Sequence, residues 1–235
     1  PIKIFLLNNE GYHSIRQTQQ NYFPGNPVGC GIESGLPFPN FKELEIIGTK
    51  ITEIPASLSE LHSLEKLSVR MNPELKALSP QLQLPASLKS LIMDQNSLYI
   101  NRDVVFPENL VFIRLDENNI DILPDSICNL TNLEELSVGN NPLHKICSDF
   151  SKLDNLRNLN LLGVKLVQIP KSLEALQRLE ILSFGDEAIQ SIPIKLENLK
   201  NLKQIRFLHN DHHTQEEMIH EFNKNLPPHI EIVVF

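Results

Sequence analysis

Two groups of side chains in this chain have types and spacings that chemistry could use. Cys147 and Asp149 set a thiol two residues from a carboxylate, and a thiol becomes a nucleophile when a neighbouring base draws off its proton. His209, His212, His213 and His220, with Asp211 and Glu216, gather imidazoles and carboxylates into one short stretch. Zinc takes three or four such ligands at about 2 Å. Neither group fits its surroundings. Cys147 occupies a place that Pro124, Pro170 and Pro193 fill in three like segments, so a catalytic role is not expected there. The histidines contain no H-E-x-x-H and straddle the end of a repeating pattern, so a solvated chain end is expected rather than a metal centre. No nucleophile and base, phosphate loop or acid pair stands elsewhere. The expectation is therefore no catalytic residue, no metal and no cofactor.

What the chain does possess is a ruler. Leu110, Leu133, Leu156, Leu179 and Leu202 open successive segments, each 23 residues after the last. Self-similarity at such a period marks a solenoid. The pattern begins at Phe41, and its early copies open at Leu64 and Leu88, with lengths of 23, 24 and 22 residues. Pro80, Pro85 and Pro107 fall in this less regular stretch, which reads as drift or a bend. Within each L-x-L the two leucines lie two apart, so both point to one face of a short strand and their neighbours to the other. The I-P-x-x-L-x-x-L half has apolar positions three apart and suits a 3₁₀ turn or short helix on the outer curve. At the ninth place Asn72, Asn96, Asn118, Asn141 and Asn210 can hydrogen-bond backbone groups where the chain leaves the strand. Thr49, Val164 and Glu187 stand there in other copies, and Val164 supplies no amide, so the ladder is expected to weaken near it.

These residues resemble the leucine-rich repeat, L-x-x-L-x-L-x-x-N-x-L, over roughly 41–210. The resemblance implies an α/β leucine-rich-repeat solenoid of about eight repeats, with a parallel sheet on the concave face and short helices or 3₁₀ turns on the convex one. The L-P-A-S-L-K-S-L run from Leu84 is similar to leucine-rich-repeat effectors of intracellular bacterial pathogens. That implies binding of host proteins through the concave face. In some such effectors a C-x-D like that of Cys147 and Asp149 lies in a ligase tail, but here it sits inside a repeat. A rival expectation is the substrate-targeting domain of a larger enzyme, such as a ubiquitin ligase, whose catalytic part lies outside this chain.

The flanks read as covers for an otherwise open solenoid. Residues 1–40 comprise a hairpin or terminal strand at Ile2, Ile4 and Leu6 and a loop rich in Pro and Gly; 41–210 are repeats. In 211–235, Thr214 and Glu217 form a capping box for a helix to about Asn225, and Ile230 to Val234 form a closing strand. Net charge is −8 with 29 acidic and 21 basic residues interspersed, which opposes nucleic acid as a partner. No apolar run spans a bilayer, and a monomer is expected. Cys30, Cys128 and Cys147 are odd in number and show no paired spacing, which suits a reducing compartment or a bacterial protein better than a disulfide-capped extracellular one. A cytoplasmic protein, or one secreted by bacteria into a host cell, is expected. Asn129-Leu130-Thr131 is a glycosylation sequon that matters only in a eukaryotic secretory pathway.

The register assigns the concave surface. The expected protein-binding residues are Lys66, Arg70, Asp94, Phe112, Arg114, Asp116, Glu135, Asn158, Asn160, Leu162, Ile181 and Arg206. The second to fourth repeats carry charge, with Glu117 beside them. Later repeats are small and neutral, with apolar Leu162, Ile181 and Leu208. Arg70→Glu with Arg114→Glu is expected to abolish capture of the partner without changing the melting temperature.

Overall fold

The computed structural model describes residues 2–7, 41–78, 82–147, 149–166, 170–185, 195–208 and 226–235. Ten strands form one sheet in strict chain order. They are β1 (Ile2–Leu7), β2 (Phe41–Ile47), β3 (Lys66–Arg70), β4 (Ser90–Ile92), β5 (Phe112–Arg114), β6 (Glu135–Ser137), β7 (Asn158–Leu161), β8 (Ile181–Phe184), β9 (Gln204–Phe207) and β10 (Glu231–Val234). Every adjacent pair is parallel. The repeats thus supply β2 to β9, seven full strand-to-strand turns closed by an eighth strand. At the start of the chain β1 pairs in parallel with β2 as a terminal strand, and the residues expected to form the second arm of a hairpin lie outside the described residues. The residues of the expected capping helix, and the histidine group with Asp211 and Glu216, lie outside the described residues.

The leucine pattern explains the sheet. The middle leucines pair across neighbouring strands, Leu136 with Leu159 and Leu159 with Leu182, so one repeat length equals one step of the sheet. Leu110, Leu133, Leu156, Leu179 and Leu202 are fully buried, as are Leu136, Leu159 and Leu182. On the outer side 3₁₀ helices run over Ala56–Glu60, Ile127–Asn129, Lys171–Ala175 and Leu196–Asn198. Two of them follow a proline, Pro55 and Pro170, whose fixed φ sets the entry to the helix. The second and third repeats, where the prolines crowd, show no such helix among the described residues.

The ninth-place asparagines work as their chemistry requires. Asn118 donates through Nδ2 to the carbonyls of Met93, Leu115 and Asp116 at 2.8, 3.0 and 3.1 Å, and its Oδ1 accepts from the Leu98 N–H at 3.1 Å. Asn141 does the same one turn later with Leu115, Val138, Gly139 and Ile120. Thr49 joins the ladder by donating to Asn72 from its N–H and its hydroxyl, at 2.8 and 2.6 Å. Val164 is buried at the same place with no polar group to offer. The residue just before each of these turns is left-handed: Met71, Gln95, Glu117 and Asn140 have φ between 52° and 57°. Gly163 is left-handed too, at φ 65°, where glycine is favoured, and a Cβ there would have to displace the exposed side chain of Asn140, whose Oδ1 lies 2.3 Å from that position.

On the outer side Cys128 and Cys147 are joined by a disulfide, with Cα atoms 6.3 Å apart. This corrects the expectation of unpaired thiols and weakens the argument for a reducing compartment that rested on it. The pairing escapes a search for matched spacings because the two residues sit at different places in their repeats and meet only through stacking of the outer segments.

Candidate functional site

Three side chains of each repeat face away from the core: the one before the middle leucine, the one between the two strand leucines, and the one after the second. In β5 and the residues around it these are Phe112, Arg114 and Asp116. The pairing Ser90↔Phe112↔Glu135↔Asn158↔Ile181↔Gln204 places the first kind in one row across the sheet. Ile92↔Arg114↔Ser137↔Asn160↔Ser183↔Arg206 makes the second row. All twelve expected residues therefore share one surface, but the structure divides them by what they touch.

Around β5 a connected polar cluster forms. Arg114 lies between two carboxylates, its Nε 3.6 Å from Oδ2 of Asp94 and 3.7 Å from Oδ2 of Asp116. Asp116 is almost fully buried. Its Oδ1 accepts from the Ser137 hydroxyl at 2.7 Å, the Gly139 N–H at 2.8 Å and Nδ2 of Asn160 at 3.1 Å. Its Oδ2 is buried with no hydrogen bond. The missing side chain of Gly139 makes the first three contacts possible, because a Cβ there would lie 2.8 Å from that same Oδ1. Asp94 accepts from the Asp116 N–H at 3.2 Å.

Burial raises the carboxyl of Asp94 above the ordinary Asp range, and the opposing pull of Arg114 does not cancel it. Burial likewise raises Glu135, again against Arg114. In both, desolvation outweighs the attraction of the guanidinium. Phe112 stands half-buried beside Glu135, and Ile92 beside Arg114.

The remaining expected residues are more loosely placed. Lys66 is held by Glu45 at 3.3 Å and Glu43 at 3.9 Å, so its charge is answered within the sheet. Arg70 has a buried Nε without a hydrogen bond. Asn160 donates to the Ser137 hydroxyl at 2.8 Å and belongs to the cluster. Asn158, Leu162 and Ile181 are half-buried on the neutral end of the face, and Arg206 donates to Gln204. Leu208 is 37% exposed. Ser137 and Gly139 were the residues that single-position reading missed; only their contact with Asp116, a full repeat earlier, marks them.

The clamp also corrects the expected effect of Arg114→Glu. A fourth carboxylate set among Asp94, Asp116 and Glu135 would destabilise the fold as well as alter its surface, so that variant cannot separate binding from stability.

A second concavity, of about 810 Å³, lies beside the first residues of the strands and includes Glu65, Lys89, Asn109, Val111, Asn132 and Glu134 in its lining. Its polar groups already serve the scaffold. Asn109, Asn132 and Asn155 donate to the carbonyls of Ala86, Glu108 and Thr131 at 2.9, 3.2 and 2.8 Å. Ion pairs of alternating sign run along it, Lys42–Glu65–Lys89 and then Glu134–Arg157–Glu180–Lys203, with uncharged Val111 between. Cys147, bonded to Cys128, offers no thiol for the chemistry its C-x-D spacing suggested. Among the described residues no group of three His, Cys, Asp or Glu is placed to hold a metal ion, and no helix is long and apolar enough to cross a membrane.

No protein-family model matches the chain. It is 26% identical over 176 residues to mouse leucine-rich repeat serine/threonine-protein kinase 1, covering 62% of this chain and 9% of that protein. To the rat volume-regulated anion channel subunit LRRC8D it is 27% identical over 164 residues, covering 66% of this chain and 19% of that one. The chain thus spans only a small part of these curated relatives. Among solved structures, an internalin C2 from Listeria monocytogenes superposes with a TM-score of 0.57 at 26% identity over 70% of each chain. A chain of PEPR1-AtPEP1 superposes with a TM-score of 0.56 at 23% identity, covering 74% of this chain and 27% of that one, a likeness of fold alone.

Proposed function

We propose that this leucine-rich-repeat chain is a non-catalytic module that seats a protein partner on its concave face, in the manner of a bacterial effector acting on host proteins. The observation that carries the reading is the surface around β5, where Phe112, Ile92 and the clamped Arg114 stand together above a rigid network. Fixed aromatic and arginine side chains ringed by polar groups are what dominate protein interfaces. The likeness to an internalin supports the bacterial setting, and with it a cytoplasmic protein or one secreted by bacteria into a host cell. The partner binds one copy of the chain, as a monomer.

Affinity capture from host-cell lysate tests the reading, using the chain and a Phe112→Ala, Leu162→Arg double variant. Both substitutions sit at half-buried positions outside the Asp116 network, so the melting temperature should fall only slightly while capture is lost. A variant that still captures the same protein would remove the concave face from consideration.

A second reading, a targeting domain within a larger enzyme, draws support from the small share of a named kinase that the chain matches. The full-length gene decides between them: a long segment with a catalytic signature favours the second.

A further inference from the structure

Two glycines hold the same place of their repeats on the concave face, and the fold needs only one of them there. Gly139 leaves room for Oδ1 of Asp116, which a Cβ would approach to 2.8 Å. Gly185, two repeats later, has no such neighbour. Its chain neighbours aside, the nearest described atom that a Cβ would meet is the Gly163 nitrogen at 3.9 Å, an ordinary contact. Nor does the backbone call for glycine, since Gly48 and Gly163 alone among the described glycines have positive φ. Glycine beside a strand weakens it, and one that serves neither the course of the chain nor its packing marks a place that something else approaches closely.

The register shows what flanks that place. Leu161, Phe184 and Phe207 are partners across β7, β8 and β9, so the residues after them, Leu162, Gly185 and Leu208, lie side by side on the concave face. Leu162 is half-buried and Leu208 is 37% exposed. With neighbouring strands about 4.8 Å apart, the two leucines stand about 10 Å apart over an empty floor, the room that a side chain at position 185 would fill. Arg206 lies two residues before Leu208, hence on the same face of β9. It donates to Gln204 and has no carboxylate within ion-pair distance among the described residues. No residue of β7, β8 or β9 is acidic, so in a chain of net charge −8 this end of the face carries a cation and nothing to answer it.

We infer that the notch over Gly185 receives an aliphatic side chain from an extended segment of the protein partner, and that Arg206 holds a carboxylate two residues away on the same segment. The inference rests on the concave-face reading and names the chemistry of its occupant.

Shape selects the first group and charge the second. Leucines wall the notch on both sides, so an aliphatic side chain seated there takes the surface of both walls out of water. A polar side chain between the same walls would lose its water and gain little in return. Interfaces match charge by sign, and a guanidinium binds a carboxylate through two parallel hydrogen bonds. Spacing ties the two together: two residues of extended chain advance about 7 Å, as Leu208 does from Arg206 along β9, and alternate side chains of such a segment share a face. A bare anion would answer Arg206 and leave the notch empty, and an apolar molecule would do the reverse.

The test uses the whole chain, followed through its backbone amide spectrum, and a glycine peptide whose central leucine has a glutamate two residues away on each side. A second peptide carries glutamine for both glutamates, and a third alanine for the leucine. At millimolar concentration the first should shift the amides of Leu162, Gly185 and Leu208, with the glutamine peptide bound at least threefold and the alanine peptide at least fivefold more weakly. Gly185→Leu fills the notch from within and should weaken the glutamate peptide at least fivefold. Gly185→Ala should melt no lower than the unaltered chain, because nothing opposes the added methyl. Arg206→Gln should bind the glutamate and glutamine peptides alike, whereas Lys200→Gln, which removes an exposed cation elsewhere, should keep the preference. No shift at these amides, equal binding of the two peptides by the unaltered chain or by Lys200→Gln, undiminished binding by Gly185→Leu, or a lowered melting temperature in Gly185→Ala would each overturn the proposal. Should the peptides behave as expected while the Phe112→Ala, Leu162→Arg variant still captures its lysate partner, the notch stands and the concave reading falls. Loss of capture in that variant with no effect of the peptides leaves the concave reading intact and removes this occupant.

Discussion

Single residues carry the rigidity of the array. Asn118 and Asn141 each bond four backbone groups from two repeats, and the carbonyls of Met93 and Leu115 take a second amide from the neighbouring ladder asparagine. Replacing either by alanine leaves buried donors and acceptors unpaired, at about 1–3 kcal/mol for such groups. Denaturant titration of Asn118→Ala and Asn141→Ala should show a loss in that range, and an unchanged midpoint for both would mean that the backbone finds other partners. Val164 supplies no amide to the ladder, and there the turn keeps the backbone bond from the Lys165 N–H to the Leu143 carbonyl at 3.0 Å. Asp116 makes the contrasting case. Its burial suits no stability argument by itself, because burying a charge is costly unless donors surround it, and here one oxygen is richly bonded and the other is not.

At the scale of the element, the strands follow from sequence and the contacts between them only in part. The L-x-x-L-x-L spacing was enough to place β2 to β9 and the inward leucines, because a repeat length repeated without change fixes the register of parallel neighbours. The concave rows were legible for the same reason. What could not be read was any pairing between different places of two repeats: Asp116 with Ser137, Gly139 and Asn160, or Cys128 with Cys147. Periodicity says which residues are equivalent, not which unlike residues touch. The ion-pair series beside the strands was legible in principle, since all its members hold the second place of a repeat, but each looked like an ordinary exposed charge. Hydrogen bonds from Lys203 and Arg157 lower the Glu180 carboxyl below its usual range. A depressed carboxyl stabilises the fold above its unfolded-state value and ceases to do so as pH falls through its folded value. The stability lost in Glu180→Gln should accordingly be present at neutral pH and vanish well below the reference value of 4.5. Thermal melts of both proteins across that window measure it. A constant gap at every pH would show that packing, not charge, is what the substitution removes.

For the whole molecule, the array is a chain of neighbour contacts, and among the described residues one disulfide crosses it. The Cys128–Cys147 disulfide closes a segment of 19 residues between the outer sides of the fourth and fifth repeats. A loop of that size contributes about 3 kcal/mol through the unfolded chain. Chemical denaturation of the chain and of Cys128→Ser, Cys147→Ser should show a gap that narrows by about that much in reductant, the remainder being the cost of hydroxyls at two buried sites; a gap of the same size in both conditions would show the link to be idle. The alternating ion pairs carry a different kind of information. Lys42, Glu65 and Lys89 alternate in sign, as do Glu134, Arg157, Glu180 and Lys203, yet the two series meet out of phase across Val111. No single charge at position 111 could suit both neighbours, since an anion would attract Lys89 and repel Glu134 and a cation would do the reverse. Remove the 23 residues from Leu110 to Asn132, however, and Lys89 falls next to Glu134; the alternation then runs from end to end unbroken. The repeat that carries Phe112, Arg114 and Asp116 is thus the one break in the phase of this charge series, and an uncharged side chain stands at the break.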